Sequence, residues 1–199
     1  MIKTVKRIQF VPSATLSRHG STVHGFLSRK GGMSGPPFDS LNFDGRDADP
    51  KENIERNRDL LKEAFSIPVE KLVTVNQVHG SSVLHVRDGF AYGAPIDADA
   101  IITSLPGIPL GIMTADCLPA LLFDPVNNAI GAAHAGWKGT VKAVTLNTIN
   151  EMNKAFGSRP ENLIAALGPC IGPCCYTVGE NVVNEFKASF EDTGCFEYA

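Results

Sequence analysis

At 199 residues the chain is long enough to bury one large core or two small domains around a shared one. Apolar residues make up 43% and charged residues 20%, with a formal net charge of -3 and no dense Lys/Arg run, so nothing in the composition points to nucleic acid or an anionic lipid surface. The opening MIKTVKRIQFVPS lacks the apolar core of a signal peptide, and the most apolar stretch, 100–123, is broken by Pro106, Pro109, Asp116 and Pro119, so buried strands and a cytoplasmic protein are expected rather than a membrane span.

The first forty-five residues are rich in Gly and Pro, and GFLSRKGGMSGPPFDSLNF predicts a loop-rich surface. From Pro50 the pattern changes. Ile54, Leu61 and Phe65 recur at helical spacing, with Asp49 as N-cap and Pro50 in the first turn, which predicts a helix over 50–65. Strands are expected at 72–78 and 83–86. Four apolar runs follow, ADAIITS, IPLGIMTA, LPALLFDP and AIGAAHAG, each reading as a buried strand of one sheet. Val141, Val144, Thr148, Met152 and Phe156 form one helical stripe, predicted to start near Gly139 or Thr140 and to end at Gly157. ENLIAALG reads as a further strand and 182–190 as a last helix. Strands and helices mix without strict alternation, so an α/β fold is expected, a mixed sheet with helices packed outside and with no internal repeat or linker.

Five cysteines, 117, 170, 174, 175 and 195, form an odd set that argues against a disulfide framework. Those in GPCIGPCCY read as packing beside a Gly/Pro turn. Three segments carry metal-competent side chains beside glycine or a strand end: VNQVHG with His79, TADCLP with Cys117 and AAHAGWKG with His134. Zinc takes imidazole nitrogen and thiolate sulfur, and catalytic sites keep three protein ligands and an open position. The intervals of 38 and 17 residues match no zinc-finger spacing. On residues alone, His79 serves equally as a turn donor, Cys117 as a small buried apolar side chain and His134 as a satisfied core histidine. A cysteine hydrolase, with Cys117 as nucleophile and His134 or His79 as base, uses the same residues. A zinc cytidine deaminase is excluded, because no His-x-Glu is present and three residues separate Cys170 from Cys174.

TVNQVHG, DADAIITSLPGIPLGIMTADCLPALLFDP, AAHAGWKGT and GPCIGPCCYTVG, in that order, resemble the bacterial YfiH family, also called the laccase-domain or polyphenol-oxidase family. The resemblance runs from about Gly25 to Gly179. It implies a layered α/β/β/α sandwich, a single domain over 1–199 and a zinc ion on His79, Cys117 and His134. It also implies phosphorolysis of adenosine, inosine, guanosine and methylthioadenosine, with some adenosine deamination. Copper is the alternative metal, from the older polyphenol-oxidase label. Purine nucleosides and phosphate are the expected partners. The SRxGG match points to Arg29 for the anion, SLNF to Asn42, and Arg46 follows; Lys138 lies in the AGWKG turn, and Asp116 beside Cys117 is a candidate orienting group or base. Family members continue beyond this point with a basic and aromatic ending. The tail is therefore expected to be short here and its substrate contacts missing.

Overall fold

The computed structural model describes residues 1–45, 48–94 and 96–191. Among the described residues, two sheets and four α-helices form the mixed α/β fold expected from the sequence. β1 (Lys3–Val5), β2 (Ile8–Val11) and β3 (Phe26–Leu27) make a small antiparallel sheet in that order. It lies within the segment expected to be loop. Strands of two to four residues are too short to register as alternation, so the sequence pattern could not separate them from the loops between them. Helix α1 (Lys51–Phe65) closes over this sheet, with Ile8, Leu41 and Leu61 in one cluster. Burying an Ile or Leu of this kind stabilises by about 1.5–3 kcal/mol. The helix bounds match the expectation, but Pro50 is itself the N-cap. Asp49 instead accepts hydrogen bonds from the Asn53 and Asn42 side chains.

The large sheet has the order β4-β5-β7-β6-β8, from Val83–His85, Ala100–Thr103, Ala129–Ala135, Leu118–Asp124 and Ile164–Leu167. β4 runs parallel to β5, and the other pairs are antiparallel. Ala129, Gly131 and Ala133 of β7 face helix α3 (Val144–Phe156). A Cβ on Gly131 would come 3.1 Å from Met152 Sδ, so the small residues of AIGAAHA let the helix seat closely. On the opposite face Leu121, Phe123 and Ile130 pack with Phe26 of β3 and with Leu16. The layers are α1, small sheet, large sheet and α3.

Two strand expectations are corrected. Residues 72–78 and IPLGIMTA are extended but join their neighbours only through single bridges, Val73 to Leu110 and Asn76 to Asp97. Their apolar residues read as strand because Val73 and Val75 are buried with Ile108, Leu110 and Ile112 packed around them, although the backbone pairing stops after one bridge. The single helix expected from about 139 to 157 is two. α2 (Trp137–Val141) starts at the extended Gly136 and stops where Ala143 adopts a left-handed φ of 58°. The Asn147 side chain takes up the Lys142 carbonyl at the break, at 3.2 Å. α3 then carries the apolar stripe and ends at a left-handed Gly157, as expected. α4 (Glu180–Ser189) completes the described chain. Among the described residues, no helix is long and apolar enough to cross a membrane.

Candidate metal centre

The strand directions bring four distant segments to one end of the large sheet. His79 lies in the turn before β4, Asp99 immediately before β5 and Cys117 immediately before β6, while His134 is the penultimate residue of β7, which runs the other way. One metal-ligating atom from each of His79, Cys117 and His134 lies within 4.8 Å of the other two. Tetrahedral nitrogen and sulfur ligands around zinc stand about 3.5 Å apart. The three atoms therefore lie near the spacing of a three-ligand shell without matching it. His79 is exposed, Cys117 half-buried and His134 buried, so the cluster is accessible from the side of the histidine turn.

Asp99, which the sequence reading passed over in favour of Asp116, organises the cluster. Its carboxylate is fully buried and accepts four hydrogen bonds. The N–H groups of Val78, His79 and Gly80 donate at 3.2, 3.0 and 2.6 Å, and His134 Nδ1 lies 2.8 Å away. Three consecutive N–H groups on one carboxylate make an anion nest, and they hold His79 in its left-handed conformation, φ 56°. The fourth bond fixes the His134 ring and leaves Nε2 for an ion, the usual carboxylate–histidine–metal arrangement. Burial pushes the Asp99 carboxyl upward, but the His134 and backbone hydrogen bonds outweigh it, and the group titrates below its ordinary value. A dication held by one thiolate and two neutral imidazoles would carry one net positive charge, which the Asp99 carboxylate would balance. A carboxylate just before a buried strand, in DADAIITS, was the available signal.

Burial pushes the Cys117 thiol up, and the Asp116, Asp99 and Cys170 charges add to the effect. Such a thiol is a weak nucleophile unless a cation takes the place of its proton. Gly136 closes the cradle: a Cβ there would sit 3.0 Å from both Cys117 Sγ and His79 Cδ2. Gly136→Ala is therefore expected to weaken metal binding several-fold while the thermal midpoint of the metal-free protein stays near wild type. Zinc titration alongside thermal unfolding checks both, and an unchanged affinity would mean that the cradle has room for a methyl group.

The other expected site residues are not gathered as closely. Arg29 follows β3 and is exposed; its carbonyl accepts the Ser40 and Leu41 N–H groups. The neighbouring glycines serve backbone packing, with Gly31 at φ +97° against the Arg7 carbonyl and Gly32 against Ser40. Asn42 has both side-chain ends engaged, donating to Asp49 at 3.1 Å and accepting from Asp44 N–H at 2.9 Å. Arg46 lies outside the described residues. Lys138 is exposed on α2, its Nζ 5.5 Å from the Trp137 ring centroid, two residues after Gly136. Asp116 is exposed and meets the Cys170 loop through its carbonyl, at 2.9 Å from Ile171 N–H. Cys170, Cys174 and Cys175 are exposed rather than packed, because the Gly/Pro turn carries them out from the end of β8; Cys195 lies outside the described residues.

The sequence model of the family described as multi-copper polyphenol oxidoreductase laccase matches residues 23–199. A protein of Deinococcus radiodurans named purine nucleoside phosphorylase is 44% identical over 167 residues, which cover 83% of this chain and 63% of that protein. One of the same name from Bacteroides thetaiotaomicron is 34% identical, over 94% of this chain and 72% of its own length. Escherichia coli purine nucleoside phosphorylase YfiH is 40% identical, over 81% and 63%. The chain thus spans about two thirds of the length of these relatives. Among solved structures, Bacillus licheniformis hypothetical protein YfiH superposes with a TM-score of 0.82 at 30% identity, covering 94% of this chain and 71% of that one. YlmD from Geobacillus stearothermophilus gives 0.83 at 28%, covering 94% and 70%. On sequence and fold together, the chain belongs to the laccase/YfiH family.

Proposed function

We propose that this chain carries the metal centre of a zinc-dependent purine nucleoside phosphorylase. The observation that carries the reading is the convergence of His79, Cys117 and His134 around the Asp99 carboxylate, in a chain 44% identical to a protein of that name. Adenosine, inosine, guanosine and methylthioadenosine are the proposed nucleosides, with adenosine deamination as a side activity. In phosphorolysis a phosphate oxygen bonds to the ribose carbon as that carbon's bond to the purine nitrogen breaks. A zinc ion held here supplies Lewis acidity toward whichever oxygen it binds. Asp99 keeps His134 oriented, and Cys117 serves as a ligand. Arg29 and Lys138 are the cations proposed for phosphate, with Asn42 and Arg46 as substrate contacts. Arg29→Ala should raise the KM for phosphate with bound metal unchanged. An unaltered phosphate dependence removes Arg29 from the mechanism.

A second reading has a specific observation behind it. Asp99, His134 and Cys117 also have the order of an orienter, base and nucleophile. The raised Cys117 thiol counts against it, since that role requires a thiolate without a metal. Copper oxidation rests on the family description alone. Among the described residues one such ligand group is found, whereas four-electron oxygen reduction needs several coppers together. Nucleoside cleavage assayed with and without phosphate, before and after chelation, tests the proposal. Phosphate-independent cleavage that survives chelation favours the cysteine reading.

A further inference from the structure

The histidine turn and the cysteine loop are joined by one side chain. The extended segment from Val73 runs parallel to the segment from Pro109 and starts a ladder: Val73 N–H donates to the Pro109 carbonyl and Gly111 N–H to the Val73 carbonyl, both at 2.9 Å. The ladder does not continue through the backbone. The Gln77 side chain takes its place, its Nε2 donating to the Met113 carbonyl at 2.7 Å and its Oε1 accepting the Met113 N–H at 2.8 Å. A primary amide is the one uncharged side-chain group that can serve a peptide's donor and acceptor together at this reach. Gln77 is two residues from His79 and Met113 four from Cys117, so both ligands hang on short tethers from the same pair of bonds. On the other side, Asn76 pairs with Ile96 and Ala98 through the backbone, which ties the segment to Asp99.

We infer that Gln77 is a positioning residue for the metal centre: its two-bond pairing with Met113 sets the separation between the His79 turn and the Cys117 strand end. Asp99 holds His79 to His134, and Gln77 holds His79 to Cys117. Thr114, Ala115 and Asp116 are exposed, so the loop that leads to Cys117 is open to solvent on its outer side; it is held at its start by the Gln77 pair and at its end by the Asp116 carbonyl, which accepts the Ile171 N–H. Without the bonds at its start the loop keeps only its far anchor, and the thiolate shifts relative to the two imidazoles while both histidines stay in register.

The inference rests on reading the cluster as a metal centre, and cobalt separates the two. Co2+ titrated into the purified wild-type protein reports affinity, and its thiolate-to-metal charge-transfer band reports Cys117 coordination. The band is expected in wild type; its absence there overturns the metal reading and this inference with it. Gln77→Met, similar in length and without either hydrogen bond, should weaken cobalt binding by about 10–100-fold and lose most of the thiolate band. Gln77→Glu keeps the acceptor for the Met113 N–H and loses the donor, so an intermediate band is expected. It also serves if the methionine variant fails to fold. Leu61→Ala, beneath α1 and remote from both loops, is the control for lost stability. Wild-type cobalt affinity and band in a Gln77 variant overturn the inference, as does an equal loss in Leu61→Ala.

Discussion

Cys117→Ser is expected to lose bound zinc and nucleoside cleavage together. A serine hydroxyl in the half-buried position stays protonated where a thiolate would bind, and it is a much poorer ligand for zinc. The loss should exceed the roughly 10–100-fold that follows removal of a residue behind a ligand. Metal content by atomic absorption and phosphorolysis in the same samples check it. Chelation of the wild-type protein should reproduce the phenotype and added zinc should reverse it, whereas the serine variant should not respond to zinc at these concentrations. A demonstrably metal-free wild-type protein that still cleaves nucleoside would end the zinc mechanism and return Cys117 to the role of nucleophile.

The second large effect is expected at Asp99→Asn. The asparagine offers one acceptor oxygen where the aspartate offers two, and its amide hydrogens face donors. At least one of the Val78, His79 and Gly80 N–H groups or His134 Nδ1 loses its partner. Breaking a buried, charge-assisted arrangement of this kind costs about 3–5 kcal/mol, and the freed His134 ring should weaken zinc binding by about 10–100-fold. The sign of the pH dependence follows from the lowered carboxyl. A folded-state value below the ordinary 3.8 means that the stabilisation is present above that pH and is lost as the pH falls through the folded-state value. Thermal midpoints of wild type and Asp99→Asn should therefore differ most near neutrality and converge in acid. Parallel curves throughout would show that the carboxylate's charge does not matter.

What was legible in the sequence was the buried part of the large sheet. LPALLFDP and AIGAAHAG are long enough for burial on both faces to show as unbroken apolar runs, and they form the two seven-residue strands. The helix end at Gly157 also followed, from a glycine just beyond the apolar stripe. IPLGIMTA misled because burial without pairing leaves the same apolar signature as a strand. The break at Ala143 left no mark, since an alanine in the left-handed region is set by the surrounding contacts and not by its own preference. At the site, the three candidate ligands came from matched motifs, while spacing alone left them ambiguous. Asp99 and Gln77 were overlooked because their work is done through backbone groups of residues far away in sequence. Such pairings appear only once the starts of β4, β5 and β6 are brought to the same end of the sheet.

The arrival of His79, Asp99, Cys117 and His134 from four separate stretches at one end of the sheet has a thermodynamic consequence. An unfolded chain cannot present the three ligands together, so an ion that occupies the centre acts as a reversible crosslink selective for the native state. Free metal at a hundred times its dissociation constant would add about 2.7 kcal/mol to the folding free energy. That increment would add to the bonds that already hold the turns at residues 79 and 117, among them the three N–H groups on Asp99 and the β6 pairing that starts at Leu118. Cellular metal supply would then regulate the lifetime of the folded chain as well as its chemistry.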